Sequence, residues 1–427
     1  MVEQLNFPSG LTLIFRKFKD TKSISIGLWL RKGARSEPLK FKGIAHFLEH
    51  LVFKGTKNYS YRKIKEEIEG RGGQLNAFTS QEVICYFAKV LEKNANIALD
   101  VLSDMVSFPL LKREDIEKER GVILEEIRMY KDMPSSRVSS ILDSLLWENH
   151  PLGMDVIGKE ETVKRISQLQ LRQFKESLYN PSNIVVVICG RDIPNFFDSA
   201  VKKIQSLSSK SAYPDKFSKP KIKKGFSFRQ EVTSFEQTHI SLGFRGFSYF
   251  DERRFILELI HIILGGNMSS RLFEAIREKK GLAYEVSTGV KKYKDTGAFI
   301  IHCGLEEKNV ELAFKIIIKE LNRIKKSLVS KSELLRAKDY FLGNFSMGLE
   351  STLNSMFYIG ESICKLGKVL DYKEIEKKIL KVSPQDIKEV SREVFSFDRC
   401  KTALVTKRSQ SFLSSFRKIL ENSANSS

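Results

Sequence analysis

His46-Phe47-Leu48-Glu49-His50 is the stretch of this sequence best equipped for chemistry. On a helix, positions 46 and 50 stand one turn apart, so both imidazoles leave the same face and can close on one zinc ion. Glu49 shares that face, where a carboxylate suits proton abstraction from water better than metal binding. The spacing H-x-x-E-H is the zincin pattern inverted. With only six histidines in 427 residues, it stands against the blander alternative of two histidines packed at i and i+4 beside a coincidental glutamate.

A catalytic zinc site wants a third protein ligand and an open position. Residues 117–130 read as a helix with several carboxylates. Glu119 and Glu126 are seven apart and share a face, while Glu125 points about 100° away from Glu126. Spacing alone leaves two readings of this face, a ligand carrier or a solvated acidic surface.

The elements that must position these residues occur twice. Residues 23–31 alternate apolar and small or polar side chains, the period of a strand with one buried face. Residues 238–245 do the same, with Gly243 in the place of Gly27. Each strand precedes a helical segment (45–53; 255–264), a second helix (61–68; 271–277), a glycine, a strand (74–79; 282–287) and another strand (84–90; 298–303). A spacing of about two hundred residues means two duplicated domains rather than a solenoid. The expected organisation is a domain at 1–207, a linker at 208–225 rich in Ser, Lys and Pro, and a homologous domain at 226–427. The fold class is α+β, each domain a mostly antiparallel sheet covered by helices. Residues 412–420 keep helical spacing, and 421–427 read as a disordered tail.

Residues 43–56, the strand 73–80, the helix 119–126 and the segment 272–284 together resemble the zinc peptidase family of pitrilysin, insulysin and mitochondrial processing peptidase, in its bacterial-type single-chain form. The resemblance runs over essentially the whole chain. It implies a zinc-dependent endopeptidase with one zinc per chain held by His46, His50 and Glu126. It makes Glu119 the carboxylate that orients a ligand and Glu49 the general base. Arg277 and Tyr284, unremarkable on spacing alone, match the family's Arg and Tyr signature, which reaches from the second domain to the substrate and can donate hydrogen bonds as negative charge develops. The second half has no H-x-x-E-H; Glu258 and His261 read as structural. With the two residue sets in different halves, a hinged clam shell is expected, and family analogy favours a homodimer. The strand 74–79 is expected at a sheet edge, where an extended peptide can add through backbone hydrogen bonds, with Asn76 and Ala77 as substrate contacts.

Composition narrows the setting. Seventy-two Lys and Arg against 52 Asp and Glu give a formal charge of +20, but no recognisable nucleic-acid motif accompanies it, so a solvated surface is expected and no nucleic-acid partner. Five scattered cysteines argue for a reducing compartment. The first residues lack the pattern of a secretory signal, and the apolar run 184–189 is strand-sized, too short for a bilayer. A cytoplasmic protein without membrane insertion follows as the expectation. The rival reading, a non-catalytic subunit on the same fold, would be favoured by a missing ligand or base, and none is missing. His2Glu sites also bind cobalt and manganese.

Overall fold

The computed structural model describes residues 2–192, 197–207, 219–221, 225–409 and 411–425. The first sheet contains β1 (Val2–Asn6), β2 (Thr12–Lys17), β3 (Ser23–Leu30), β4 (Gln74–Thr79), β5 (Ile84–Leu91) and β6 (Ile184–Gly190), in the order β1-β2-β6-β3-β5-β4. All its pairs are antiparallel except β2 with β6. The second contains β7 (Ser227–Val232), β8 (Thr238–Gly246), β9 (Ala283–Lys292), β10 (Gly297–Leu305) and β11 (Lys401–Thr406), in the order β7-β11-β8-β10-β9. Only β7 with β11 is parallel. Without β1, the two sheets have the same order and directions, which is the duplication expected from the repeated pattern.

The chain divides into two units, neither of them one contiguous stretch. The first comprises Met1–Arg128, Asp155–Phe217 and Met347–Val369; the second comprises Met129–Met154, Ser218–Ser346 and Leu370–Ser427. Most of the expected linker lies outside the described residues.

In the first unit Ile24, Ile26, Leu28 and Leu30 of β3 pack with the helices Ile44–Val52, Tyr61–Ile68 and Ala95–Ser107 in one core. The expectation of a single buried face on β3 is corrected, because its other face is buried as well. The helix Thr352–Leu366 lies over it, and Met356, Ile359 and Ile363 join Trp29, Val185 and Val187 in a second core. Covering both faces explains why β6 is apolar at every position. Each such buried aliphatic or Met side chain contributes about 1.5–3 kcal/mol. The second unit is built alike: the helix Pro134–Leu146 packs Val138, Ile141, Leu142 and Leu146 against Ala298, Ala403 and Val405.

At the C-terminus the last helix is Leu413–Asn425, longer than expected. The expected disordered tail is therefore corrected over 421–425. Phe412, Phe416 and Leu420 are buried, and Asn322 Nδ2 donates to the Ser423 carbonyl at 3.3 Å, which ties down the final turns. No helix among the described residues is long and apolar enough to cross a membrane.

Candidate metal centre

The helix Ile44–Val52 buries Ile44, Phe47, Leu48 and Leu51, which leaves His46, Glu49 and His50 together on its other face. Its start is fixed by a buried carboxylate. Glu37 accepts the Gly43 and Ala45 amides at 3.1 and 2.7 Å, satisfying donors that have no partner within the helix. Lys42 stands 3.4 Å from the same carboxylate. Gly43 itself has φ +96°, and a Cβ there would stand 2.5 Å from the Ile157 carbonyl oxygen. Only glycine meets both demands.

The helix Arg113–Asp132 brings the remaining carboxylates, with Ile116, Ile123 and Ile127 buried and Glu119 and Glu126 two turns apart. Glu126 Oε2 lies 3.9 Å from His46 Nε2 and 3.7 Å from His50 Nε2. One ligand atom from each of the three residues falls within 4.8 Å of the others. The Glu126 separations are too long for hydrogen bonds. They approach the roughly 3.4 Å between neighbouring ligand atoms of a tetrahedral zinc with 2.1 Å bonds. The donor set therefore fits a divalent ion, two imidazoles and a carboxylate around one point.

The outer contacts orient these donors. His50 Nδ1 and Glu119 Oε2 are 3.0 Å apart. With Nδ1 donating to that carboxylate, Nε2 is left bare toward Glu126. Lys54 Nζ holds the other Glu119 oxygen at 2.6 Å. Glu49 Oε2 accepts a short hydrogen bond from Thr79 Oγ1 at the end of β4. His46 Nδ1 is buried without a hydrogen-bond partner among the described residues, so packing alone orients that ring.

The electrostatics agree with the geometry. Burial, aided by His50, pushes His46 down to about 4, so its nitrogen is available as a neutral donor. Burial works to lower His50 too, but the Glu119 hydrogen bond and the Glu126, Glu49 and Glu119 carboxylates leave it raised. Burial raises Glu49 and Glu126 above the usual carboxylate range. Burial would also raise Glu119, but hydrogen bonds from His50 and Lys54 and the charges of both hold it below its ordinary value. Two carboxylates that burial disfavours as anions, beside two imidazoles, gain most from a cation among them.

His46, His50, Glu49, Glu119 and Glu126 are thus brought together within the first unit. Asn76 and Ala77 lie on β4, which is an edge strand as expected, and Asn76 Oδ1 accepts the Ala77 amide at 2.8 Å. Arg277 and Tyr284 belong to the second unit. Arg277 sits on a π-helical turn, Phe273–Glu278, with its guanidinium over the Phe273 ring, and Tyr284 lies on β9. His261 Nδ1 pairs with Thr288 Oγ1 at 2.6 Å and Glu258 with Lys292, in keeping with structural roles. Thr79 and Lys54 were missed from sequence. Lys54 carried a faint signal, a cation four residues after His50 just past the end of the helix; Thr79 carried none, since its contact with Glu49 spans thirty residues.

Residues 13–160 match the family model described as insulinase (peptidase family M16), and residues 165–341 match that of the peptidase M16 inactive domain. An uncharacterized zinc protease of Bacillus subtilis is 34% identical over 398 residues, 93% of this chain and 97% of its own. A protein of Streptomyces coelicolor with the same description is 33% identical over 402 residues, 92% of this chain and 87% of its own. Among solved structures, a protease from Helicobacter pylori shares the fold with a TM-score of 0.90 at 23% identity, over 95% of this chain and 99% of that one. A peptidase M16 inactive domain from Pseudomonas fluorescens gives 0.86 at 19% identity, over 95% and 98%. With the ligand set lying in the part matched by the insulinase model and relatives aligned nearly end to end, this chain belongs to the M16 (insulinase) peptidase family.

Proposed function

We propose that this protein is a zinc-dependent endopeptidase that hydrolyses peptide bonds in extended peptides or unfolded segments, with Glu49 as general base. The observation that carries the reading is the convergence of His46, His50 and Glu126 on one point with the Glu49 carboxylate on the same helix face. Zinc held by those three residues, one ion per chain, would polarise the scissile carbonyl and make a water acidic enough to ionise near neutral pH.

The chain's own residues divide the remaining work. Glu119 keeps the His50 ring in place, and Lys54 keeps Glu119 ionised. With Oε2 of Glu49 engaged by Thr79, Oε1 is the oxygen that takes the proton of the attacking water and returns it to the leaving amine. The raised pKa of Glu49 suits both halves of that exchange. The outer edge of β4, which among the described residues pairs only with β5, offers backbone groups to an extended substrate, with Asn76 and Ala77 as contacts. Strand addition selects extended chains and imposes little side-chain preference. Arg277 and Tyr284 enter by the family resemblance as donors to the substrate. By the same analogy the enzyme works as a homodimer, and its five free, buried cysteines suit the reducing environment of the cytoplasm.

The test is removal and return of metal. A chelator should abolish cleavage of a mixed peptide library, and stoichiometric zinc should restore it, with about one zinc per chain by elemental analysis. Cleavage that persists in fully metal-free protein would refute the reading.

A further inference from the structure

The second unit holds a buried polar chain behind Tyr284 that the proposed chemistry has not used. His239 and Ser241 lie on β8, and His302 lies directly opposite Ser241 on β10. Ser241 Oγ is 2.9 Å from His302 Nδ1, His302 Nε2 is 3.2 Å from His239 Nδ1, and His239 Nε2 is 3.5 Å from Tyr284 Oη. The Tyr284 ring rests over Gly304, where a Cβ would stand 2.8 Å from the phenol oxygen. Any side chain at 304 would displace the ring. Tyr284 itself remains exposed on its outer side.

Burial pushes both imidazoles down to about 4, aided at His239 by His302 and opposed there by Glu285. Each is therefore neutral near pH 7 and carries one N–H. In such a chain the position of one proton sets all the others. Glu285 Oε2 lies 3.9 Å from His302 Nε2 and favours a proton on that nitrogen. His302 Nε2–H then donates to His239 Nδ1, Ser241 Oγ–H donates to His302 Nδ1, and the His239 proton sits on Nε2, facing Tyr284 Oη. The last contact is long for a hydrogen bond, as catalytic contacts often are before substrate binds.

We propose that His239 and His302 are positioning residues for Tyr284: the His239 N–H donates to the phenol oxygen, so that the Tyr284 hydroxyl proton is left to donate to the substrate. The opposite proton order would commit the Tyr284 proton to His239 and leave no donor. This inference rests on the reading that Tyr284 serves the substrate.

The test is steady-state cleavage of a quenched fluorescent, unfolded peptide by full-length zinc-loaded protein carrying Tyr284→Phe, His239→Phe, both together, or His239→Gln. Expected are a loss in kcat on the order of tenfold for His239→Phe with KM little changed, and substantial recovery in His239→Gln, whose amide still offers an N–H. The double variant should be no slower than Tyr284→Phe alone, because the effect of His239 passes through the phenol. An equal loss from His239→Phe in both backgrounds, or none where Tyr284→Phe is slow, would overturn the inference and leave the role of Tyr284 standing. Unchanged kcat in Tyr284→Phe would remove that role and the inference with it, while the zinc and Glu49 reading would survive.

Discussion

Glu49 has its base strength set chiefly by burial, which raises it, and by the Thr79 hydroxyl, which lowers it, with lesser opposed effects of His50 and Glu126. Thr79 also fixes which carboxylate oxygen faces the reaction. Thr79→Val keeps the shape of the side chain and deletes the donor, so kcat should fall on the order of tenfold, with zinc content unchanged and Thr79→Ser close to the natural protein. A valine variant with full kcat would show that Glu49 needs no such anchor. The metal ligands were legible in the sequence because two of them and the base lie within a single helical turn, where spacing dictates a common face. Glu126 was legible only as one of several carboxylates on a helix until the family resemblance selected it. Thr79, His239 and His302 were illegible because strand pairing and packing, not spacing, create their contacts.

At the scale of elements, the repeated pattern located most strands and helices, and β4 and the helix Tyr61–Ile68 begin and end where the sequence places them. What periodicity could not show is what covers the far face of each sheet. Gly27 and Gly243 mark the places. A Cβ on Gly27 would stand 2.3 Å from Met356 Sδ, and one on Gly243 would stand 2.9 Å from Leu146 Cδ1, each on a helix distant in sequence. From the helix side, a Cβ on Gly360 would stand 2.1 Å from Trp29 Cε2. Gly360→Ala should gain about 1 kcal/mol in helix propensity and lose up to about 3 kcal/mol by overpacking against the fully buried, rigid indole. A net destabilisation of about 2 kcal/mol in urea unfolding is expected. A variant as stable as the parent would mean that the helix can slide to make room.

Across the whole molecule, the two units exchange segments: Met129–Met154 goes with the second sheet and Met347–Val369 with the first. The exchange is invisible to a linear reading, since neither helix differs in pattern from one that packs on its own neighbours. It has a consequence for folding. Residues 1–207 expressed alone would leave Trp29, Cys85, Val185 and Val187 uncovered, an apolar patch that favours aggregation. That fragment should bind a hydrophobic dye and unfold without a cooperative transition, and addition of residues 226–427 should suppress both properties. A fragment that unfolds cooperatively by itself would show the exchanged helix to be dispensable.

The proposed chemistry turns most directly on Glu49. Glu49→Gln is nearly isosteric, leaves His46, His50 and Glu126 in place and deletes the capacity to take a proton together with a carboxylate charge near His50 and Glu126. Zinc content and peptide cleavage should be measured together on this variant and on the natural protein. Both proteins should hold equal zinc, and the variant should lose kcat by at least about a hundredfold. Equal zinc with undiminished cleavage would show that Glu49 is not the general base.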